Sequence, residues 1–186
     1  MWILLVVLAL VVMGVILIYN GLVKLREQVD ASWSDIDVQL KRRHDLIPNL
    51  VSTVQGYASH ERETLEAVIQ ARNQAMGAQG PEARAEAENQ LTGTLRSLFA
   101  LSESYPQLRA NENFMDLQRN LQQLEDAIQR ARRYYNAVVR DYNTKIRSVP
   151  SNLVANAFSF RPREFFEIEE GERSVPRVDF GSGGGG

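Results

Sequence analysis

The residues best equipped for chemistry crowd into one window, "WSDIDVQLKRRHDLIPNLV" (33–51), which holds seven ionisable groups and a proline. Four uses compete: a metal site, a nucleophile, a lipid-binding patch, or the seam of an assembly. A di-metal site in a helical protein needs glutamates and a Glu-x-x-His spacing that puts both ligands on one helical face. The two histidines are His44 and His60, and residues 41 and 57 are Lys and Tyr, so neither fits. "HERE" (60–63) lacks the second histidine of a zinc-protease helix. The chain has no cysteine, no Gly-x-Ser-x-Gly elbow and no Gly-rich phosphate loop. No catalytic residue, metal ligand or cofactor is assigned. A net charge of −2 supplies no basic footprint for nucleic acid.

The remaining uses of the window are structural. Asp37, Lys41 and Asp45 are spaced one helical turn apart, and such pairs support a helix by only a few tenths of a kcal/mol. Lys41 lies about 33 Å beyond the end of the apolar N-terminus on a straight helix. The surface potential of a bilayer is spent at that distance, because the Debye length is about 8 Å. His44 falls on or beside the apolar stripe Leu40–Ile47. Pro48 cannot donate a hydrogen bond to the carbonyl of residue 44, so that carbonyl needs another partner. Either a water serves a plain proline kink, or the site is a contact between helices or subunits.

Met1 to Tyr19 carries no charge and spans about 28 Å as a helix. Trp2 and Tyr19 bracket it as interfacial aromatics, and Lys24 and Arg26 follow as headgroup contacts. The segment lacks the basic start and cleavage site of a signal peptide, so a retained single-pass anchor is expected. The positive-inside rule puts the C-terminal part in the cytoplasm. Absence of cysteine fits a reducing compartment.

Apolar residues from Leu22 to Val54 recur at spacings of three and four, the mark of an amphipathic helix. Residues 22–76 form one helix or two. "GAQGP" (77–81) is a turn, and a helix with Leu91, Leu95, Leu98, Phe99 and Tyr105 on one side runs to Pro106. In the next helix, about 113–147, two strings repeat every seven residues: Leu117, Leu124, Ala131, Val138, and Phe114, Leu121, Ile128, Tyr135, Tyr142. Such heptads predict lengthwise packing in a coiled coil or bundle. Leu124→Asp is expected to break that bundle. Lengthwise packing also leaves few deep pockets.

The C-terminal part is rich in phenylalanine, with Phe158, Phe160, Phe165, Phe166 and Phe180 around Arg161, Pro162 and Arg163. It packs on its own bundle, docks on a neighbouring subunit, or dips into the membrane surface. The acidic "EIEEGE" beside it argues against the last. "GSGGGG" is a flexible tail left out of fold reasoning.

Six blocks together resemble the LemA family: "YNGLV" (19–23), the 33–51 window, "GYASHE" (56–61), "YPQLRANENFMDLQ" (105–118), "YYNAVVRDYN" (134–143) and "PSNLVANAFSFRPREFF" (150–166). The resemblance covers nearly the whole chain. It implies a bacterial membrane protein with a short outside N-terminus, a cytoplasmic helical bundle and no catalytic residues to carry over. A relative needed to build magnetosome membranes implies membrane organisation. Relatives encoded near membrane metalloproteases imply an envelope-stress adaptor instead.

The expected protein is all-α: a transmembrane helix, an elongated antiparallel bundle of three to four long helices, and a short C-terminal helix with an extended tail. Its parts are an anchor (1–20), a bundle (21–149), a docking tail (150–180) and a flexible end (181–186). The oligomer or inter-helix seam is assigned to Trp33, Ile36, Leu40, His44, Pro48, Tyr134, Tyr135, Tyr142, Phe158, Phe160, Phe165 and Phe166. The function expected first is a homo-oligomeric scaffold in the bacterial inner membrane, with lipids and its own copies as partners. The second is a non-catalytic adaptor for a membrane protease or another envelope protein.

Overall fold

The computed structural model describes residues 1–167. Phe180, the acidic run beyond Glu167 and the Gly/Ser tail lie outside them. Among the described residues the chain is all helical, without strands: α1 (Trp2–Gln55), α2 (Arg62–Gly77), α3 (Pro81–Ser102), α4 (Pro106–Arg109), α5 (Glu112–Arg147) and α6 (Ser151–Ala157).

The apolar N-terminus and the first bundle helix are one element. α1 is 54 residues long, about 80 Å at 1.5 Å per residue. Asn20 and Gly21 do not interrupt it. Its N-terminal stretch is long and apolar enough to cross a membrane, and its side chains are open on nearly all sides there. From Leu22 onward the stripe turns inward. Leu22, Ile36, Leu40, Ile47 and Leu50 are fully buried, each worth about 1.5–3 kcal/mol relative to exposure. Residues 22–76 are thus two helices, α1 and α2, joined by the turn around Gly56.

α5 lies antiparallel against α1. Arg43 meets Glu125 at 3.3 Å and Trp33 meets Tyr135 with ring centroids 5.4 Å apart, ten residues back along α1 and ten forward along α5. The same register sets Ile146 beside Leu22, and both are buried in one cluster. The side chain of Asn111 caps α5, accepting from the Phe114 N–H at 3.0 Å. α2 and α3 form a hairpin on the far end of this pair. Its turn needs Gly80, whose φ is 83°, and Pro81 opens α3.

The core has two parts. Near the apolar segment, α1, the C-terminal half of α5, α6 and the tail pack together. At the far end, α1 beyond Ile47 packs with α2, α3, α4 and the start of α5. α3 stops at Ser102, earlier than Pro106 implies. Tyr105, held extended at φ −124° and ψ 81° by the proline that follows, cannot stay helical.

Candidate functional site

Ionisable residues of the 33–51 window converge on the middle of the molecule. Arg43 and His44 sit on the inner face of α1 and are buried. Glu88 reaches them from α3: its Oε1 is 2.6 Å from His44 Nε2, and its Oε2 is 3.4 Å from Arg43 Nη1. Arg43 also donates to Thr92 Oγ1 at 2.7 Å and pairs with Glu125 of α5. A buried charge is tolerated only when paired and hydrogen-bonded. Here one guanidinium ties three helices to a single point.

The Pro48 carbonyl question is answered at the same place. Arg72 Nε of α2 donates to the His44 carbonyl at 2.8 Å. Pro48 itself is exposed and stays within α1. The missing helical hydrogen bond therefore becomes a docking point for α2.

Beside this cluster a cleft of ≈480 Å³ opens between α3 and α5, lined by Arg43, Arg96, Gln118, Gln122, Glu125 and Gln129 among others. Lengthwise packing predicts fewer such openings. α3 packs chiefly on α2 and reaches α5 at Phe99 and Phe114, whose rings are 6.1 Å apart. Arg43 and Glu125 of the cleft lining are committed to each other, and Thr92 Oγ1 donates to the Glu88 carbonyl. His60 is exposed at the α1–α2 turn. Among the described residues no three His, Asp or Glu side chains gather where a metal could sit.

The aromatic residues divide. Trp33 packs on Tyr135 and, at 5.5 Å, on Phe166. Ile36, Leu40, Tyr135, Tyr142, Phe160 and Phe166 are buried between elements of one chain, and Phe165 packs on the same core. Tyr134 and Phe158 point outward, 57% and 54% exposed. The tail is strapped along α5 by two Tyr-Asn pairs seven residues apart. Tyr142 donates to the Arg161 carbonyl at 3.0 Å and Tyr135 to the Glu164 carbonyl at 2.9 Å. Asn143 and Asn136 each hold both backbone groups of one tail residue, Arg163 and Phe166. These amides act as an edge strand would, and sequence reasoning missed them. Their signal was the repeat of Tyr-Asn at 135–136 and 142–143. Arg163 also pairs with Asp30 of α1 at 2.9 Å.

Burial pushes the Tyr135 phenol up to about 12, with the Arg163 cation pulling the other way. Burial likewise raises Tyr142. Tyr105 is raised because its hydroxyl donates to Glu61 at 2.8 Å, a bond that favours the neutral phenol.

At the apolar end, Trp2 is 83% exposed. Tyr19 meets the Phe158 ring at 4.8 Å and the Phe160 ring at 5.7 Å. Lys24 is exposed, while Arg26 lies 5.5 Å over the Phe160 ring and pairs with Glu27. On the outer face of the α1–α5 pair, Leu46, Leu124 and Ala127 line a shallow groove of ≈520 Å³ rimmed by Gln39, Arg42, Asp45, Asn120 and Gln123. Leu124 is half-buried here. The fully inward heptad string is the other one, from Phe114 to Tyr142, so Leu124→Asp does not put a charge into the core.

Known proteins add the following. The chain is 25% identical over 175 residues to Magnetosome protein MamQ 2 of Paramagnetospirillum magneticum, covering 80% of this chain and 64% of the relative. It is 25% identical over 155 residues to Protein LemA of Metamycoplasma hominis, covering 83% and 71%. The chain thus spans under two thirds of the length of its magnetosome relative. A family model, the LemA family, matches residues 32–180. With one helix able to cross a membrane and a helical bundle behind it, this chain is a membrane-associated protein that belongs to the LemA family.

Proposed function

We propose that the protein is a non-catalytic, single-pass scaffold whose copies associate side by side beneath the membrane. The observation that carries this reading is the outer groove of the α1–α5 pair. Leu46, Leu124 and Ala127 form an apolar centre that their own chain covers only in part, inside a polar rim. That is the anatomy of a protein interface. Arg42 and Asp45 stand on the same rim with opposite charges, so two copies related by a two-fold axis can pair one with the other. Lys24 and Arg26, which follow the apolar stretch, support a bundle on the cytoplasmic side of the inner membrane by the positive-inside rule. Relatives named as magnetosome proteins, with the membrane-length apolar stretch of α1, support a place at a membrane. Mass measurement of the detergent-extracted protein tests the reading. Multi-copy particles are expected, and uniformly single chains reject it.

A second reading, an adaptor for a membrane protease or sensor, draws on the α3–α5 cleft. Phe160 and Phe166 are buried against their own chain, so a partner would enter the cleft and not dock on those rings. Arg96→Glu at the cleft rim would then abolish co-purification of one stoichiometric foreign protein while leaving self-association intact.

A further inference from the structure

We propose that the α5–α6 elbow is a second membrane contact, entering the headgroup and upper acyl region of an anionic bilayer beside the spanning helix. The segment from Ser148 to Phe160 carries no charge. Its inward side chains, Val154 and Ala155, are buried, while Val149, Leu153 and Phe158 are 80%, 67% and 54% exposed. Three large apolar side chains on one short elbow are unusual for a surface facing water alone.

The register fixes their depth. Ile146 lies beside Leu22, so the chain beyond it reaches the level of Tyr19, where the apolar segment ends. The 4.8 Å contact between the Phe158 and Tyr19 rings confirms that level independently. Tyrosine at the end of a spanning helix sits at the headgroups, and Phe158 sits with it. The flanking charges suit the same surface. Lys145 and Arg147 close α5 and Arg161 follows the elbow, with Lys24 exposed on α1. Each such cation near an anionic leaflet is attracted to it.

Glu167, the last described residue, does not oppose this, because the strap carries it away from the elbow. The chain climbs α5 from the elbow, and Phe166 reaches Trp33, about 20 Å along α1 from Tyr19. Glu167, next to Phe166, is thus more than two Debye lengths of about 8 Å from that level. A bilayer is favoured over a second copy as occupant because the elbow packs directly against the end of the membrane-length apolar stretch of α1.

The chain has no cysteine, so Leu153→Cys carries a single environment-sensitive fluorophore on an exposed position. The full-length protein is placed in nanodiscs of phosphatidylglycerol and phosphatidylethanolamine, one copy per disc. Gln70→Cys on α2 is the control, near Arg72 and so about 37 Å from the Tyr19 level. Doxyl lipids are expected to quench the label at 153 several-fold more than at 70, and iodide several-fold less. Iodide quenching equal at the two sites overturns the proposal. Protection that appears only with several copies per disc, without doxyl quenching, assigns the elbow to a second copy and also overturns it. In phosphatidylcholine discs the doxyl quenching should fall, and equal quenching in both lipids overturns the anionic part.

Discussion

At Pro48 one missing N–H has a structural use. The His44 carbonyl it leaves free is taken by Arg72. An orphaned buried carbonyl costs about 1–3 kcal/mol, so Arg72→Ala should destabilise the bundle by about that much. Pro48→Ala restores the helical donor, so Arg72→Ala should cost less in that background. A double-mutant cycle by urea unfolding in detergent, followed by near-UV circular dichroism of Trp33, measures the coupling; strict additivity contradicts the assignment. The orphan was legible from the proline, but its partner was not, because Arg72 lies on another helix with nothing local to mark it. Glu88 is partly legible, since it falls on the Ala85–Leu91–Leu95 stripe where a carboxylate must have partners. Tyr135 supplies a pH test. Its folded-state value is raised from about 10 to about 12, so the folded state holds the proton more tightly than the unfolded chain. That stability is complete below about pH 10 and is lost as pH rises through 12. Tyr135→Phe should flatten the alkaline loss in a pH–stability profile, leaving the part due to Tyr142 and Tyr105. An unchanged slope contradicts the burial of this phenol.

At the scale of elements, α5 does two jobs with two seven-residue repeats. One string, Phe114 to Tyr142, packs inward, and Leu117 to Ala131 remains only partly covered. The repeats were legible because period seven is a property of a single helix. Which string faces inward was not, because it depends on where α1 lies. The third repeat, Asn136 and Asn143, holds the tail. Each amide replaces hydrogen bonds the extended backbone would otherwise make to water, at a net of about 0.5–1.5 kcal/mol each. Asn143→Ala with Asn136→Ala should therefore loosen the strap without unfolding α5. Hydrogen exchange at the Arg163 and Phe166 amides should rise well above wild type, while α5 amides such as those around Ile128 stay protected. Equal protection at 163 and 166 contradicts the strap. Asn20–Gly21 is only a weak breaker, and α1 runs through it. The inward stripe begins at Leu22, directly after the apolar stretch.

At the scale of the whole molecule, a helix of about 80 Å links the apolar segment to the outer groove in mid-bundle. Arg43 and Glu88 fix α3 against it, and the Tyr-Asn strap fixes the tail. A rod held this firmly presents its outer groove in a constant orientation, which side-by-side packing requires. The overall architecture was legible from periodicity and breakers. The groove was not, since Leu124 reads as core until α2 and α3 are seen to pack on the opposite side. The central claim, association through that groove, is tested most directly by measuring particle mass for wild type and Leu124→Asp in matched detergent. Multi-copy particles for wild type, and single chains of unchanged helicity for Leu124→Asp, are the predicted result. A wild type that stays single at the density it reaches in a bilayer, or assemblies indifferent to Leu124→Asp, would contradict it.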